Sequence, residues 1–251
     1  MSLYLSRLIL NPRSRQLIGE LVEPYEMHRT LMRAFPKATD DTQSKARDEF
    51  GVLFRADVDD LLGAVKVYVQ SSVKPDWSFL DELSDYLYAD TGMPEYECKQ
   101  IMSAYRKIRD GQVLSFRLRA NPTKRVAKQD DPMKGKRVEL THEDEQIDWL
   151  IRKGREREKG KPGGFEILVK KVRDVKGEER QIPRVSAHSQ GKQKGRKREA
   201  GPGHAMTHLA VLFDGLLQVT DTDAFLETLA RGVGPGKAFG FGLLSIAPVR
   251  P

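Results

Sequence analysis

The sequence predicts an α+β fold built from two tandem ferredoxin-like (RRM-like) βαββαβ domains. Three observations lead to this prediction. Segments with the alternation of half-buried strands are interleaved with segments of helical period. The order strand–helix–strand–strand–helix–strand can be followed in each half of the chain. The halves also differ in formal charge, with a net −3 over residues 1–110 and +10 over residues 111–251. We therefore expect an N-terminal domain at 1–110 and a C-terminal domain at 111–251.

The first predicted domain opens with a strand over residues 3–10, which Asn11-Pro12 ends. A helix is predicted to begin at Pro24, because proline is tolerated in a first helical turn. Its apolar residues at helical spacing form a buried stripe up to Phe35, and Pro36 follows them. The remaining predicted elements are strands at 52–55 and 64–71, a helix at 76–88, and a last strand with a linker within 89–111.

The second predicted domain repeats the plan. Residues 113–120 alternate between apolar and polar side chains, and Thr141 starts a helix with a capping-box-like signal. Further elements are predicted as strands at 165–172, 206–219 and 241–247 and a helix at 222–230. A basic insert at 173–204 separates the two middle strands. Because it holds five basic residues and no acid within 191–198, we expect an arm that becomes ordered on a polyanion.

A glycine-rich segment, Arg231–Pro248, carries five glycines within positions 232–242. Such density indicates a positive φ or a close approach of the main chain to another group. Exposed backbone N–H groups of this kind can bind phosphate oxygens. Neither the P-loop nor the dinucleotide-binding pattern fits. Two interpretations therefore remain open, a phosphate-facing surface and a turn that only links a helix to a strand.

Composition narrows the functional classes. Cys98 is the only cysteine, which excludes an internal disulfide and a cysteine-clustered zinc site. No apolar run approaches the roughly 20 residues that span a bilayer, and the first residues lack the pattern of a secretory signal. We predict a cytoplasmic protein with no membrane partner. The basic second half favours a nucleic-acid partner, with a generic basic surface as the alternative.

The histidine most suited to chemistry is His28. It follows Tyr25 by three residues on the first long predicted helix, so the two side chains share a face. We expect that face to be exposed and turned away from the core stripe. An imidazole has an ordinary pKa near ~6.5 and can accept and donate protons near neutrality. General acid–base catalysis on a phosphodiester is one interpretation, and a solvated surface histidine is the other.

A metal site is not expected. His204 and His208 are four residues apart, but they lie in a predicted strand, and no acidic residue completes a ligand set. The HExxH pattern is missing from the sequence. We therefore predict neither a metal nor another cofactor.

Five collinear stretches resemble the CasE family, the CRISPR precursor-RNA endoribonucleases of the type I-E interference complex (Cascade). They span nearly the whole chain, and the third and fifth are specific. The stretches are LYLSRLILNP at 3–12, PYEMHRTL at 24–31, FRLRANPTK at 116–124, QIDWL at 146–150, and RGVGPGK with LLSIAP within 231–248.

The resemblance implies tandem ferredoxin-like domains and cleavage of the CRISPR repeat RNA at the base of its stem-loop. It also implies that the enzyme keeps its product and remains bound to other Cascade subunits. The catalytic histidine of the family falls on His28, and a tyrosine used by some members falls on Tyr25. The RNA-binding residues that it implies, together with the basic residues of the insert, are Arg29, Arg33, Arg117, Arg119, Lys124, Arg125, Gly234, Gly236, Lys237, Lys192, Lys194, Arg196, Lys197 and Arg198.

The mechanism that follows uses the RNA's own 2′-hydroxyl as nucleophile. His28 acts as general base on that hydroxyl or as general acid on the leaving 5′-oxygen, and the sequence does not distinguish the two. The alternative function is a non-catalytic subunit that binds an RNA stem-loop. A pure RNA-recognition module would usually show aromatic residues in the RNP pattern, which the sequence lacks. A duplex-DNA regulator would be expected to contain a helix-turn-helix, and we find none.

Overall fold

The computed structural model describes residues 2–36, 49–89, 91–126, 135, 137–173, 177–196 and 205–249, with the backbone alone at 194–196 and 205–206. Two antiparallel sheets form its framework. One has four strands and the other has five.

The four-stranded sheet is built from the first half of the chain. Its strands are β1 (Tyr4–Leu10), β2 (Leu53–Asp59), β3 (Ala64–Ser71) and β4 (Tyr96–Gln100). They are arranged in the order β2-β3-β1-β4, with the first and third strands in the middle, as in a ferredoxin-like unit. Helices α1 (Arg15–Val22) and α2 (Pro24–Met32) follow β1, and the short α3 (Met102–Tyr105) follows β4.

Helix α1 was not predicted. Its sequence, RQLIGELV, contains an interior glycine and buries only Leu17 and Glu20, so its periodic signal is weak. The local signal for it is Ser14, whose side chain accepts a hydrogen bond from the backbone N–H of Leu17. Helix α2 begins at Pro24 as predicted, but it ends at Met32, before the buried Ala34 and Phe35.

The helix predicted at 76–88 is wrong. The structure has only a 3-10 helix, Ser78–Glu82, in this stretch. The backbone of the following residues pairs with the end of β1, since Asn11 donates to the carbonyl of Tyr86 and Tyr88 donates to that of Ile9. A continuing helix would have used these groups internally. The apolar residues of the segment still reach the core, with Trp77, Leu80 and Tyr86 buried.

The five-stranded sheet is built from the second half. Its strands are β5 (Val113–Ala120), β10 (Phe165–Ile167), β13 (Val185–Arg196), β14 (Ala205–Val219) and β15 (Leu244–Pro248). The order is β10-β14-β5-β15, and β13 also pairs with β14. Helices α4 (Glu143–Arg155) and α5 (Thr222–Arg231) belong to this half. Short hairpins join β6 (Thr123–Arg125) to β7 (Arg137–Glu139) and β8 (Glu156–Glu158) to β9 (Lys161–Pro162).

The basic insert is more regular than predicted. The strand expected at 165–172 divides into β10 and β11 (Val169–Arg173), and β11 pairs with β12 (Glu179–Pro183). Strand β13 then pairs with β14. Val185 lies opposite Gly215 at one end of the pairing, and Arg196 lies opposite Ala205 at the other. Described residues of the insert therefore lie in two β-hairpins.

The two sheets are joined through α5 and through Arg55. Gln70 on β3 donates to the carbonyl of Leu229 on α5 at 2.7 Å. Arg55 on β2 is 3% exposed, and its guanidinium donates to Ser245 Oγ on β15 at 2.9 Å. The sheets take their strands from residues 4–100 and 113–248, whereas the exact boundary at 110 stays a prediction. Among the described residues, no helix has the length and apolarity needed to cross a membrane.

Candidate active site at the junction of the sheets

Helix α2 brings Tyr25 and His28 to the junction between the two halves of the chain. Pro24 occupies the first turn of the helix, and Met27 and Leu31 pack in the hydrophobic core of the N-terminal half. The side chains of Tyr25 and His28 lie one turn apart on another face, with ring centroids separated by 6.0 Å. The pairing expected from their three-residue spacing is therefore present.

The expectation that this face is exposed is wrong. His28 is 3% exposed and Tyr25 is 8% exposed. The imidazole stacks on Phe54 of β2 at 6.2 Å, and the phenol ring packs on Phe239 at 5.8 Å. Phe239 belongs to a 3-10 helix, Lys237–Phe239, in the glycine-rich segment. The face is thus covered by a contact from the far end of the chain, which helical period alone does not reveal.

The glycine-rich segment does more than link α5 to β15. All five glycines have positive φ, between 74° at Gly232 and 93° at Gly242. A Cβ placed on Gly240 would lie 3.1 Å from Phe54, and one on Gly234 would lie 2.9 Å from Trp149. These positions therefore combine an αL-type backbone with close packing against both halves of the molecule. A phosphate-binding role for Gly234, Gly236 and Lys237 stays a prediction.

Arg119 lies inside the junction. It is 9% exposed, donates from Nε to Gln190 Oε1 at 2.7 Å, and places its guanidinium 4.8 Å from the ring centre of Phe241. Desolvation lowers the pKa of Arg119 to about 10, so the group stays charged at neutral pH. Arg117, two residues earlier on β5, donates to Asp214 at 2.7 Å, and this hydrogen bond raises the pKa of Arg117.

The arginines of α2 are not grouped with Tyr25 and His28. Arg29 pairs with Glu26 at 2.8 Å, and Arg33 lies 4.4 Å over the ring of Phe79. Both line a groove of about 780 Å³ between α1 and α2. An RNA contact by either residue stays a prediction.

Lys124 and Lys192, two other predicted cations of the second half, lie on separate hairpins. Lys124 pairs with Glu145 at 2.8 Å, and Lys192 lies 3.5 Å from Glu139. Lys124 and Arg125 share a concave surface of about 430 Å³ with three cations of α4 that the sequence interpretation missed, namely Arg152, Lys153 and Arg155. Lys194 and Arg196 are on β13 without described side chains, and Lys197 and Arg198 lie outside the described residues.

Sequence reasoning also missed the aromatic and polar residues that surround Tyr25 and His28. Phe54 and Phe239 were predicted only as parts of a strand and a loop. His208 packs on Phe239 at 4.5 Å and is bonded to Asn121 at 2.9 Å. The signal that could have found Asn121 is its place in the FRLRANP stretch. Within the described ranges, no cluster of three His, Cys, Asp or Glu side chains is arranged to hold a metal ion.

Comparison with known proteins identifies the family. The family model described as "CRISPR associated protein" matches residues 3–248. The chain belongs to this family. It is 37% identical over 246 residues to the CRISPR-associated endoribonuclease Cse3 of Thermus thermophilus, with 98% of this chain and 100% of that protein covered. This match confirms the resemblance to the CasE family expected from the sequence.

Two further members of the family extend the comparison. The chain is 27% identical to the Cascade subunit CasE of Escherichia coli, covering 98% of this chain and 100% of CasE. The structure of Thermus thermophilus Cse3 bound to an RNA that represents a pre-cleavage complex superposes with a TM-score of 0.70 at 35% identity, covering 99% of this chain and 100% of that one. These matches confirm the tandem ferredoxin-like fold.

Proposed function

We propose that this chain is an endoribonuclease that binds CRISPR repeat stem-loops and cleaves the precursor RNA at the base of the stem. The observation that carries the proposal is the pairing of Tyr25 and His28 at the junction with the glycine-rich segment, in a chain similar along its whole length to a CRISPR-associated endoribonuclease. Retention of the product RNA and assembly with other Cascade subunits belong to the same proposal, supported by the likeness to CasE. Because the substrate is a transcript, we place the reaction in the cytoplasm.

The proposed reaction is an internal transesterification. The 2′-oxygen next to the scissile phosphate attacks phosphorus, and the bond from phosphorus to the 5′-oxygen breaks. One proton leaves the 2′-hydroxyl, and one is delivered to the 5′-oxygen. His28 performs one of these transfers, and Tyr25 orients the phosphate or the sugar. The products are a 2′,3′-cyclic phosphate and a 5′-hydroxyl, and no metal ion takes part.

Burial of His28 adds a requirement to this mechanism. The imidazole is 3% exposed, so RNA must take the place of some of the contacts that cover it. The charge that develops on the phosphate needs nearby cations or backbone N–H groups. Lys237 and the glycine-rich backbone are the groups closest along the chain to Phe239, and we assign them this role within the proposal.

Incubation with RNA in EDTA tests the proposal. One tube receives the repeat stem-loop RNA, and a second receives the same RNA with a single deoxyribose at the cut site. We expect cleavage in the first tube only, with a cyclic phosphate on the upstream fragment. Intact RNA in the first tube would favour the non-catalytic stem-loop-binding subunit or a metal enzyme. Cleavage in both tubes would exclude the 2′-hydroxyl as nucleophile.

A further inference from the structure

His208 is a partly buried titratable side chain that the proposed mechanism does not use. It lies on β14, and its ring packs on Phe239 with centroids 4.5 Å apart and planes at 54°. It also meets the ring of Phe241 edge-on at 6.1 Å. Phe239 in turn contacts Tyr25 at 5.8 Å. His208 and Tyr25 are therefore both in contact with the same phenylalanine.

Asn121 holds the His208 ring in a defined orientation. Asn121 directly follows β5 and is 3% exposed. Its amide Nδ2 donates to Nδ1 of His208 at 2.9 Å, which makes Nδ1 the acceptor and leaves the ring proton on Nε2. Desolvation lowers the pKa of His208, against a smaller opposing effect of Glu139. The imidazole is thus neutral at pH 7 and fixed in one tautomer.

Stability alone does not account for this polar pair. Nε2 of His208 and Oδ1 of Asn121 are buried atoms that have no hydrogen-bond partner among the described residues. A buried polar atom without a partner costs free energy of folding, and two apolar side chains of similar shape would avoid that cost. The surroundings of the pair are also largely apolar, with Ala210, Phe239 and Phe241 buried beside it. A pair retained at such a cost, next to the candidate active site, points to a role in that site.

We propose that His208 is a positioning residue for RNA cleavage, held in place by Asn121 and acting through Phe239 on Tyr25. The ring of His208 supports one side of Phe239, and Phe239 supports the ring of Tyr25. Removal of His208 lets Phe239 shift away from α2, so Tyr25 loses the contact that fixes it beside His28. The inference rests on the proposed function, because it assigns His208 to the reaction that Tyr25 and His28 perform.

The test measures single-turnover cleavage of the repeat stem-loop RNA and the Kd for the same RNA. We expect His208→Ala to lower the rate about 10- to 100-fold, the size of loss that small misplacement of a catalytic group produces, and to leave Kd nearly unchanged. His208→Phe keeps an aromatic ring against Phe239 but cannot accept the hydrogen bond from Asn121, so we expect it to recover only part of the lost rate. His142→Ala, at an exposed histidine outside the basic insert that makes no side-chain capping hydrogen bond to α4, is the matched control and should cleave as the wild type does.

A double-mutant cycle separates positioning from a general structural effect. If His208 acts through Tyr25, its removal has little further effect once Tyr25 is alanine. We expect the His208→Ala loss to be much smaller in the Tyr25→Ala background. The same fold loss in both backgrounds, a wild-type rate in His208→Ala, or no recovery in His208→Phe would overturn the inference. Failure of the wild-type chain to cleave would instead overturn the proposed function, so the two failures are distinguishable.

Discussion

At the scale of single residues, Tyr25 has a ring that packs on Phe239 and a hydroxyl that we propose orients the RNA. Tyr25→Phe keeps the ring and removes only the hydroxyl. We expect the single-turnover cleavage rate to fall less than it does in His28→Ala, because another donor can contact the phosphate. Rates of the two variants, measured side by side on one RNA, check this. A Tyr25→Phe loss equal to that of His28→Ala would show that the hydroxyl itself transfers a proton.

The sequence could predict the two central residues but not their surroundings. The spacing of Tyr25 and His28 places them on one face of a helix, and α2 confirms the pairing. Their burial could not be read from that spacing, because the covering residues Phe54 and Phe239 come from a strand and from a segment near the other end of the chain. The basic residues show the same limit. The alternation of the strand predicts that Arg119 is an exposed cation, yet Arg119 is buried at the junction of the two sheets.

The burial of Tyr105 predicts how the stability of the fold changes at alkaline pH. Burial raises the pKa of Tyr105 to about 12, whereas an unfolded tyrosine titrates near ~10. Above that value the unfolded chain gives up a proton that the folded chain keeps, so the unfolded state binds fewer protons. Stability therefore falls as pH rises between about 10 and 12. Denaturant unfolding across this range should show a shallower decline for Tyr105→Phe than for the wild type. If stability fell equally in the two proteins, ionisation of Tyr105 would not be the cause of the loss.

At the scale of elements, the glycine-rich segment depends on backbone conformation and close packing together. Gly240 has φ +75°, and a Cβ there would meet Phe54 at 3.1 Å. Gly63 has φ +59° with nothing within 4 Å of its Cβ position. We expect Gly63→Ala to cost about 1–2 kcal/mol of unfolding free energy from the αL backbone alone. Gly240→Ala should cost roughly 1–3 kcal/mol more, from crowding at the junction. Equal costs in denaturant titrations would exclude the close approach.

Helices and strands were predicted correctly where one sequence signal was strong. They were predicted wrongly where two signals competed. The alternation over Ala64–Ser71 and Val113–Ala120 gave both strands at their observed bounds. The apolar spacing over 76–88 resembled a helix, but the backbone of Tyr86 and Tyr88 bonds to the end of β1, and the segment forms a 3-10 helix and a turn instead. That pairing is a tertiary contact, so local periodicity could not show it. Likewise, the basic residues of the insert led to the prediction of an arm, and strands β12 and β13 were not predicted.

At the scale of the whole molecule, we expect the charge difference between the halves to govern RNA binding. The second half carries a net charge of +10, and five of its cations line the concave surface beside Trp149. We expect log affinity for the stem-loop to fall steeply with log salt, since each phosphate contact releases counterions. Replacing Arg152 and Arg155 with Gln should reduce this slope, whereas Lys99→Gln on the first half should not. A slope near zero in the wild type would contradict phosphate-based recognition.

We expect the two halves of the chain to have different roles in RNA cleavage. The first half supplies the imidazole of His28, and the second half supplies the basic surface and Phe239, which packs on Tyr25. Catalysis and RNA affinity should therefore be separable by mutation. Substitutions of Tyr25 and His28 should act on the rate, and substitutions of the cations at the concave surface should act mainly on Kd.

The measurement that tests this claim most directly is the single-turnover cleavage rate of His28→Ala together with its Kd for the same repeat RNA. General acid–base catalysis contributes about 10²–10⁴ in rate, so we predict a loss of at least that size with Kd unchanged. A rate close to that of the wild type, or a loss of affinity equal to the loss of cleavage, would contradict the assignment of His28 as the group that transfers the proton.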